Sequence, residues 1–266
     1  MMNIIRADMY KMARNKWLYI TFAAIFVFNL LVIHMERIRA IFFLFAHNET
    51  GVPEPIAAAN YTGMGVAQLL YTMTEMMVYF LLPLIVFSVA PMFTHGTVKN
   101  DIAWGICRTK LYLSKLVVAI GLCALMLVFY MSVSMIFATI VRGWGGPAPD
   151  GYWLILIKTL AAQFFMLVSL TCVGVFLVFV TKRTLVACGL YLLFIYVPAE
   201  LIPVAMELHE RNSGWWEYTM MWGIYGMGFL EQLDTRTMLI IFGMGAFYIV
   251  ATTLAGIALF RRTEIK

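Results

Sequence analysis

The chain alternates between long apolar stretches and short polar ones, and the length of the apolar stretches sets the architecture. An apolar helix of about 20 residues crosses the hydrocarbon core of a bilayer. Six runs are long enough: residues 17–35, 76–93, 116–141, 154–180, 185–204 and 237–260. Their apolar residues are continuous and do not alternate with polar ones, which excludes a β-barrel. The pattern predicts an all-α integral membrane protein, a single transmembrane domain with six transmembrane helices. No polar stretch is long enough for a separate soluble domain.

Residues 2–16 follow a different pattern. On a helical wheel Met2, Ile5, Met9, Met12 and Ala13 share one face, and Arg6, Tyr10, Lys11 and Arg14 the other. This predicts an N-terminal amphipathic helix lying in the membrane interface with its basic groups toward anionic headgroups. It leads into the first run at Trp17, an interfacial anchor. Two of the connecting segments are long, 36–75 and 205–236. The second carries an apolar run at 218–230 that is too short to span. Such a run either dips between spans five and six as a re-entrant segment or lies at the surface, held by Trp215 and Trp216. No internal repeat is evident, which argues against transporter folds built from duplicated halves.

Composition narrows the class. Of 266 residues 63% are apolar and 12% charged, against roughly 45–50% and 25% in soluble globular chains. A water-soluble enzyme, a disordered tail and a secreted disulfide scaffold are excluded. The net charge of +5 is modest, but its distribution is not. With the N-terminus inside, the inner segments hold Arg6, Lys11, Arg14 and Lys16, then Lys99, Arg108, Lys110 and Lys115, then Lys182 and Arg183, then Arg261, Arg262 and Lys266. The outer side holds Arg37, Arg39, Arg142, Lys158, Arg211 and Arg236. Asp8, Asp101 and Glu264 are the only inner acids. The excess of inner bases predicts that both termini are cytoplasmic. The basic residues flank apolar runs, so they speak for orientation in a membrane and against a nucleic-acid partner. Cys107, Cys123, Cys172 and Cys188 form no close pair, which predicts neither a disulfide framework nor a metal site.

Candidate chemistry is sparse. No Lys follows a Gly, so a phosphate-cradling loop is absent. His34, His47, His95 and His209 are scattered, and no Gly-x-Ser-x-Gly elbow occurs. No catalytic, metal or cofactor-binding residue is therefore assigned. Ionisable residues at membrane depth are functional candidates. Glu75 sits at the outer start of span two, Lys158 a few residues into span four, and Glu200 in span five within Pro198-Ala-Glu-Leu-Ile-Pro203. Each is near enough to the outer interface to be a plain interfacial charge. Alternatively they line the outer part of a pathway, with Glu200 and Lys158 as a pair. Asn29 and Gln163 lie deeper, where hydrogen bonds between helices are their expected role.

The segment 94–115, between spans two and three, is the most informative. Thr97 is expected to cap a short helix and Gly105 to end it in a left-handed conformation, with Thr109 or Ser114 opening the next long helix. A rigid finger over 97–104 with a basic shoulder suits docking to a soluble partner. A topology signal alone needs only basic residues. The candidate coupling residues are Thr97, Val98, Lys99, Asn100, Asp101, Ile102, Trp104, Gly105 and Arg108.

Gly96-Thr97-x-Lys99-Asn100, followed by Gly105, Arg108, Tyr112 and Ser114-Lys115, resembles the permease subunits of ABC-2 type transporters, those of lantibiotic-immunity and antimicrobial-peptide export systems in particular. The resemblance extends to the basic amphipathic first helix, the six spans and the long outer segment after span five. Phe93-Thr94-His95 departs from it, standing where family members carry acids. The resemblance implies a multi-pass subunit of a bacterial plasma membrane with no ATPase of its own. Two copies, or one with a sister permease, would enclose a pathway. Separate ABC ATPase subunits holding ATP–Mg would dock beneath, on the coupling helix. The cargo would be hydrophobic or amphipathic: a peptide antibiotic, a bacteriocin-like peptide or a lipid-like molecule. An intramembrane enzyme acting on lipids or peptides, and a non-transporting sensor or immunity scaffold, are the alternatives.

Overall fold

The computed structural model describes residues 2–34, 63–94, 96–146, 151–197 and 235–263. Among them the secondary structure is helical, with no strand. In chain order the helices are α1 (Met2–Ala13), α2 (Lys16–His34), α3 (Gly63–Val89), α4 (Pro91–Thr94), α5 (Thr97–Ala103), α6 (Arg108–Arg142), α7 (Tyr152–Thr181), α8 (Thr184–Tyr196) and α9 (Thr235–Arg262).

Four segments are long and apolar enough to cross a membrane: Met77–Thr94, Arg108–Val141, Tyr152–Thr181 and Met238–Arg262. Two shorter apolar helices, Lys16–Leu31 and Thr184–Ile195, accompany them. The described part of each of the six expected runs thus falls on helix, and four of the six are long and apolar enough to span. The run at 185–204 is described only as far as residue 197. Most of the segment 205–236, its run at 218–230 and Glu200 lie outside the described residues, as does most of 36–75.

Two helix starts differ from expectation. Helix α3 begins at Gly63, well before the apolar run it carries, and has Pro83 in its interior, which a membrane helix accommodates where its neighbours re-satisfy the backbone. Helix α6 begins at Arg108, ahead of Ser114 and of the apolar run at 116. Residues 108–115 hold neither Gly nor Pro, so nothing stops the helix from extending backward through its polar first turns.

The core is built on α3, α6 and α7, which pack on one another. Helix α2 lies against α6 and α3, α8 against α7 and α3, and α9 against α7 and α6. Burial separates centre from periphery: 61% of the apolar window of α7 is buried against 11% in α9. On α2 the buried residues Leu18, Thr21, Ile25 and Asn29 recur every three or four positions, one stripe toward α6 and α3. The stripe is reinforced by edge-to-face rings, Phe22 on Phe129 at 4.9 Å and Phe26 on Phe137 at 5.2 Å. Such pairs contribute about 0.5–1.5 kcal/mol beyond their buried area.

Candidate functional site

The segment between α3 and α6 forms an elbow. Gly96, with φ of 65°, turns the chain into α5. Thr97 is the first helical residue and not the cap, and its hydroxyl lies 3.5 Å from the Met92 carbonyl oxygen. At the other end Gly105 adopts φ of 78°, a conformation that costs a residue with a Cβ. Its N–H donates to the Ile102 carbonyl (2.9 Å), and the Ile106 N–H to the Asp101 carbonyl (3.1 Å). These two bonds make a Schellman closure, which satisfies the carbonyls at the end of α5. Val98 is buried and Asp101 and Ile102 are half-buried, so they form the anchored face. Lys99, Asn100 and Ala103 are exposed, and Trp104 is 86% exposed at the tip.

Arg108, Tyr112 and Lys115 follow on one face of α6, at helical spacing. Arg108 is turned inward: one guanidinium nitrogen donates to the carbonyls of Phe260 (3.3 Å), Arg261 (2.8 Å) and Thr263 (2.6 Å). It closes the C-terminal end of α9, where carbonyls lack helical partners and a cation is favoured by the helix dipole. Tyr112 is buried against Gly256 of α9, with its hydroxyl 3.4 Å from the Thr252 carbonyl. Lys115 reaches α1 instead, and its ammonium donates to Asp8 Oδ1 at 2.7 Å. Ser114 is spent within the helix on the Leu111 carbonyl.

An aromatic hub backs the elbow. Phe179 of α7 meets Phe93 of α4 (5.4 Å), Tyr112 of α6 (4.6 Å) and Phe260 of α9 (5.0 Å). The base of α5 is thereby joined through packed rings to α6, α7 and α9.

The buried Asp8–Lys115 pair is the feature that sequence reasoning missed. The signal was present: Asp8 is the one acid in a basic helix. The apolar face expected of α1 also divides. Met12 is buried and Ile5 half-buried beside Asp8, whereas Met2 and Met9 are 67% and 60% exposed. Helix α1 has three sectors: one toward the protein, one apolar and outward, one basic. Between α1, the ends of α3 and α4, and the starts of α5 and α6 lies a cleft of about 600 Å³.

Of the expected pathway residues only Lys158 has its side chain among the described residues. Lys158 is exposed on the outward side of α7, between exposed Ile157 and Ala161. Glu75 belongs to α3, and its side chain, like Glu200, is outside the described set. Asn29 does bridge helices as expected, accepting a hydrogen bond from Ser134 of α6 while donating to the Ile25 carbonyl. Gln163 is buried with its Nε2 unpaired among the described residues. All four cysteines are free, and Cys123 and Cys172 are buried. No cluster of three metal-ligating side chains occurs among the described residues.

Long apolar helices around a common core, with an amphipathic helix and a polar elbow at one end, define an α-helical, multi-pass membrane-embedded protein. The chain belongs to the family described as protein of unknown function DUF2705, whose model matches residues 9–266. A comparison with curated proteins finds no match.

Proposed function

We propose that the chain is the six-span permease subunit of an ATP-driven ABC transporter of the ABC-2 type, exporting a hydrophobic or amphipathic substrate from a bacterial plasma membrane. Both termini and the α5 elbow face the cytoplasm in this reading, and a separate ATPase subunit docks on α5. A second permease copy or a sister permease completes the pathway.

The observation that carries the proposal is the exposed tip of α5. A tryptophan exposed this far on a short helix with both ends fixed offers a large apolar surface to a partner, and tryptophan is enriched at the centres of interfaces. Lys99 and Asn100 on the same face supply polar contacts around it. The helix is backed by Val98 and, through Phe93, by the Phe179 hub, so a displacement of α5 bears on α6, α7 and α9. Lys158, which faces out of the protomer, would line a pathway only across a subunit boundary. Glu75 and Glu200 are proposed to line its outer part.

The test is co-purification with an ATPase subunit and measurement of substrate-stimulated ATP hydrolysis. Trp104→Ala should reduce ATPase association at least about tenfold, the loss of roughly 1.4 kcal/mol or more at an interface anchor, with unchanged thermal stability of the isolated chain. Full activity of the chain with no associated ATPase refutes the proposal.

A further inference from the structure

The cleft beneath α1 holds a carboxylate with one oxygen unsatisfied. Asp8 is 6% exposed, and its Oδ1 is taken by Lys115. Its Oδ2 has no hydrogen-bond partner among the described residues. A buried carboxylate oxygen without a donor is costly, and the inward neighbours Ile5 and Met12 have none to offer. The cleft is far roomier than a single water requires, and its polar wall consists of Asp8, Lys11, Asn15, Ser88, Thr97 and Lys115.

We propose that this cleft binds a phospholipid headgroup carrying a hydrogen-bond donor beyond its phosphate, best matched by phosphatidylethanolamine. The charges select for it. Two ammonium groups and one carboxylate face the space. A simple anion meets the lysines but is repelled by Asp8. A simple cation meets Asp8 but is repelled by the lysines. A phosphate between Lys11 and Lys115, with an ammonium reaching Oδ2, satisfies all three through charge-assisted bonds. A choline headgroup has no N–H to give. The position fits as well: Trp17, 54% exposed, lines the cleft where α1 turns into α2. Its ring stacks on Phe87 at 5.2 Å, and its backbone N–H donates to Asn15 Oδ1 at 3.1 Å. Tryptophan and a basic amphipathic helix both belong at headgroup depth. The site requires only that α1 lie at the membrane surface, and so is independent of the transport proposal.

The full chain, purified in detergent, delipidated and offered an equimolar mixture of phosphatidylethanolamine, phosphatidylglycerol and phosphatidylcholine, should retain the ethanolamine lipid about tenfold over the choline lipid, as one charge-assisted bond allows. The glycerol lipid, whose hydroxyls also donate, should fall between. Retained lipid is read by mass spectrometry. Asp8→Asn should erase the ethanolamine preference. Because that change also strips Lys115 of its counter-ion, Lys11→Gln, at an exposed position, serves as the second variant and should weaken retention without lowering thermal stability. Soluble phosphoethanolamine should displace the lipid, and inorganic phosphate at the same concentration should not. Equal retention of ethanolamine and choline lipids, unchanged retention in Lys11→Gln, or displacement by phosphate as effective as by phosphoethanolamine overturns the proposal.

Discussion

Arg108 meets three carbonyls at once, and their positions explain why an arginine stands there. The end of α9 leaves several acceptors close together, and the long, permanently charged arginine places one guanidinium nitrogen among them. Arg108→Ala should lower the stability of the detergent-solubilised chain by about 1.5–3 kcal/mol, the worth of hydrogen bonds to a charged donor. Arg108→Lys should recover part of it in the same thermal assay. One residue earlier, Cys107 is exposed at the N-terminus of α6. Its thiol is held below the ordinary value, chiefly by the backbone N–H of Thr109, with Lys110 and the charge of Arg261 adding to this. Thiolate is the reactive form, so a lowered value means more of it at neutral pH. Maleimide labelling of Cys107 at pH 7 should outpace that of a free cysteine peptide and should level off at lower pH as pH rises. Cys123 and Cys172 should stay unlabelled until the bundle unfolds. Little of this was legible in the sequence. The basic shoulder could be read, but nothing in a linear pattern says that a base near residue 108 turns inward to a helix end more than 150 positions away.

At the scale of elements, the length of the apolar runs located the four helices long enough to cross a membrane, because in lipid a helix must satisfy its own backbone along its whole apolar length. Their extensions were not legible. Helix α6 continues back past the apolar run because helix propensity, not hydrophobicity, decides where a polar helix stops, and α3 begins at Gly63 through a stretch of mixed polarity that carries no stop or start signal. The end of α5 was readable for the opposite reason: Gly105 is a residue whose backbone freedom the closure uses. The start was misread, since Gly96 enters the helix and Thr97 does not cap it. Close approach of elements rests on small residues that composition cannot distinguish from spacers. At Gly256 an added Cβ would collide with the Tyr112 ring, so α9 lies against α6 only because nothing stands there. Gly256→Leu should force the two helices apart and cost about 1–3 kcal/mol, the range for overpacking. A lowered midpoint of thermal aggregation should accompany lost protection of the Arg108 segment from proteolysis.

For the whole molecule, the contrast between α7 and α9 is the organising fact. Leu81 on α3 is fully buried among the core helices, whereas Leu254 on α9 is 62% exposed. Leu81→Ala should destabilise the solubilised chain by about 2–5 kcal/mol, as core truncations do. Leu254→Ala should shift the thermal midpoint little, because its side chain leaves one apolar contact for another. The membrane class and the helices were legible because they depend on composition and run length. Which helix is central was not, since α7 and α9 are both continuous apolar runs and only packing separates them. The cleft was illegible for a related reason: Asp8 and Lys115 read separately as an interfacial acid and a topology signal, and their pairing exists only once α1 folds back on α6.

That pairing also sets an order of events during synthesis. Asp8 waits 107 residues for Lys115, and Arg108 waits 153 for the Arg261 carbonyl. An early nascent chain therefore carries a carboxylate without its lysine, and a later one an arginine without its helix end. Helix α6 is the keel on which both are later seated. A chain arrested between Lys115 and α9 should hold α1 in place while Arg108 still lacks its carbonyls, so the arrival of α9 is what latches the elbow.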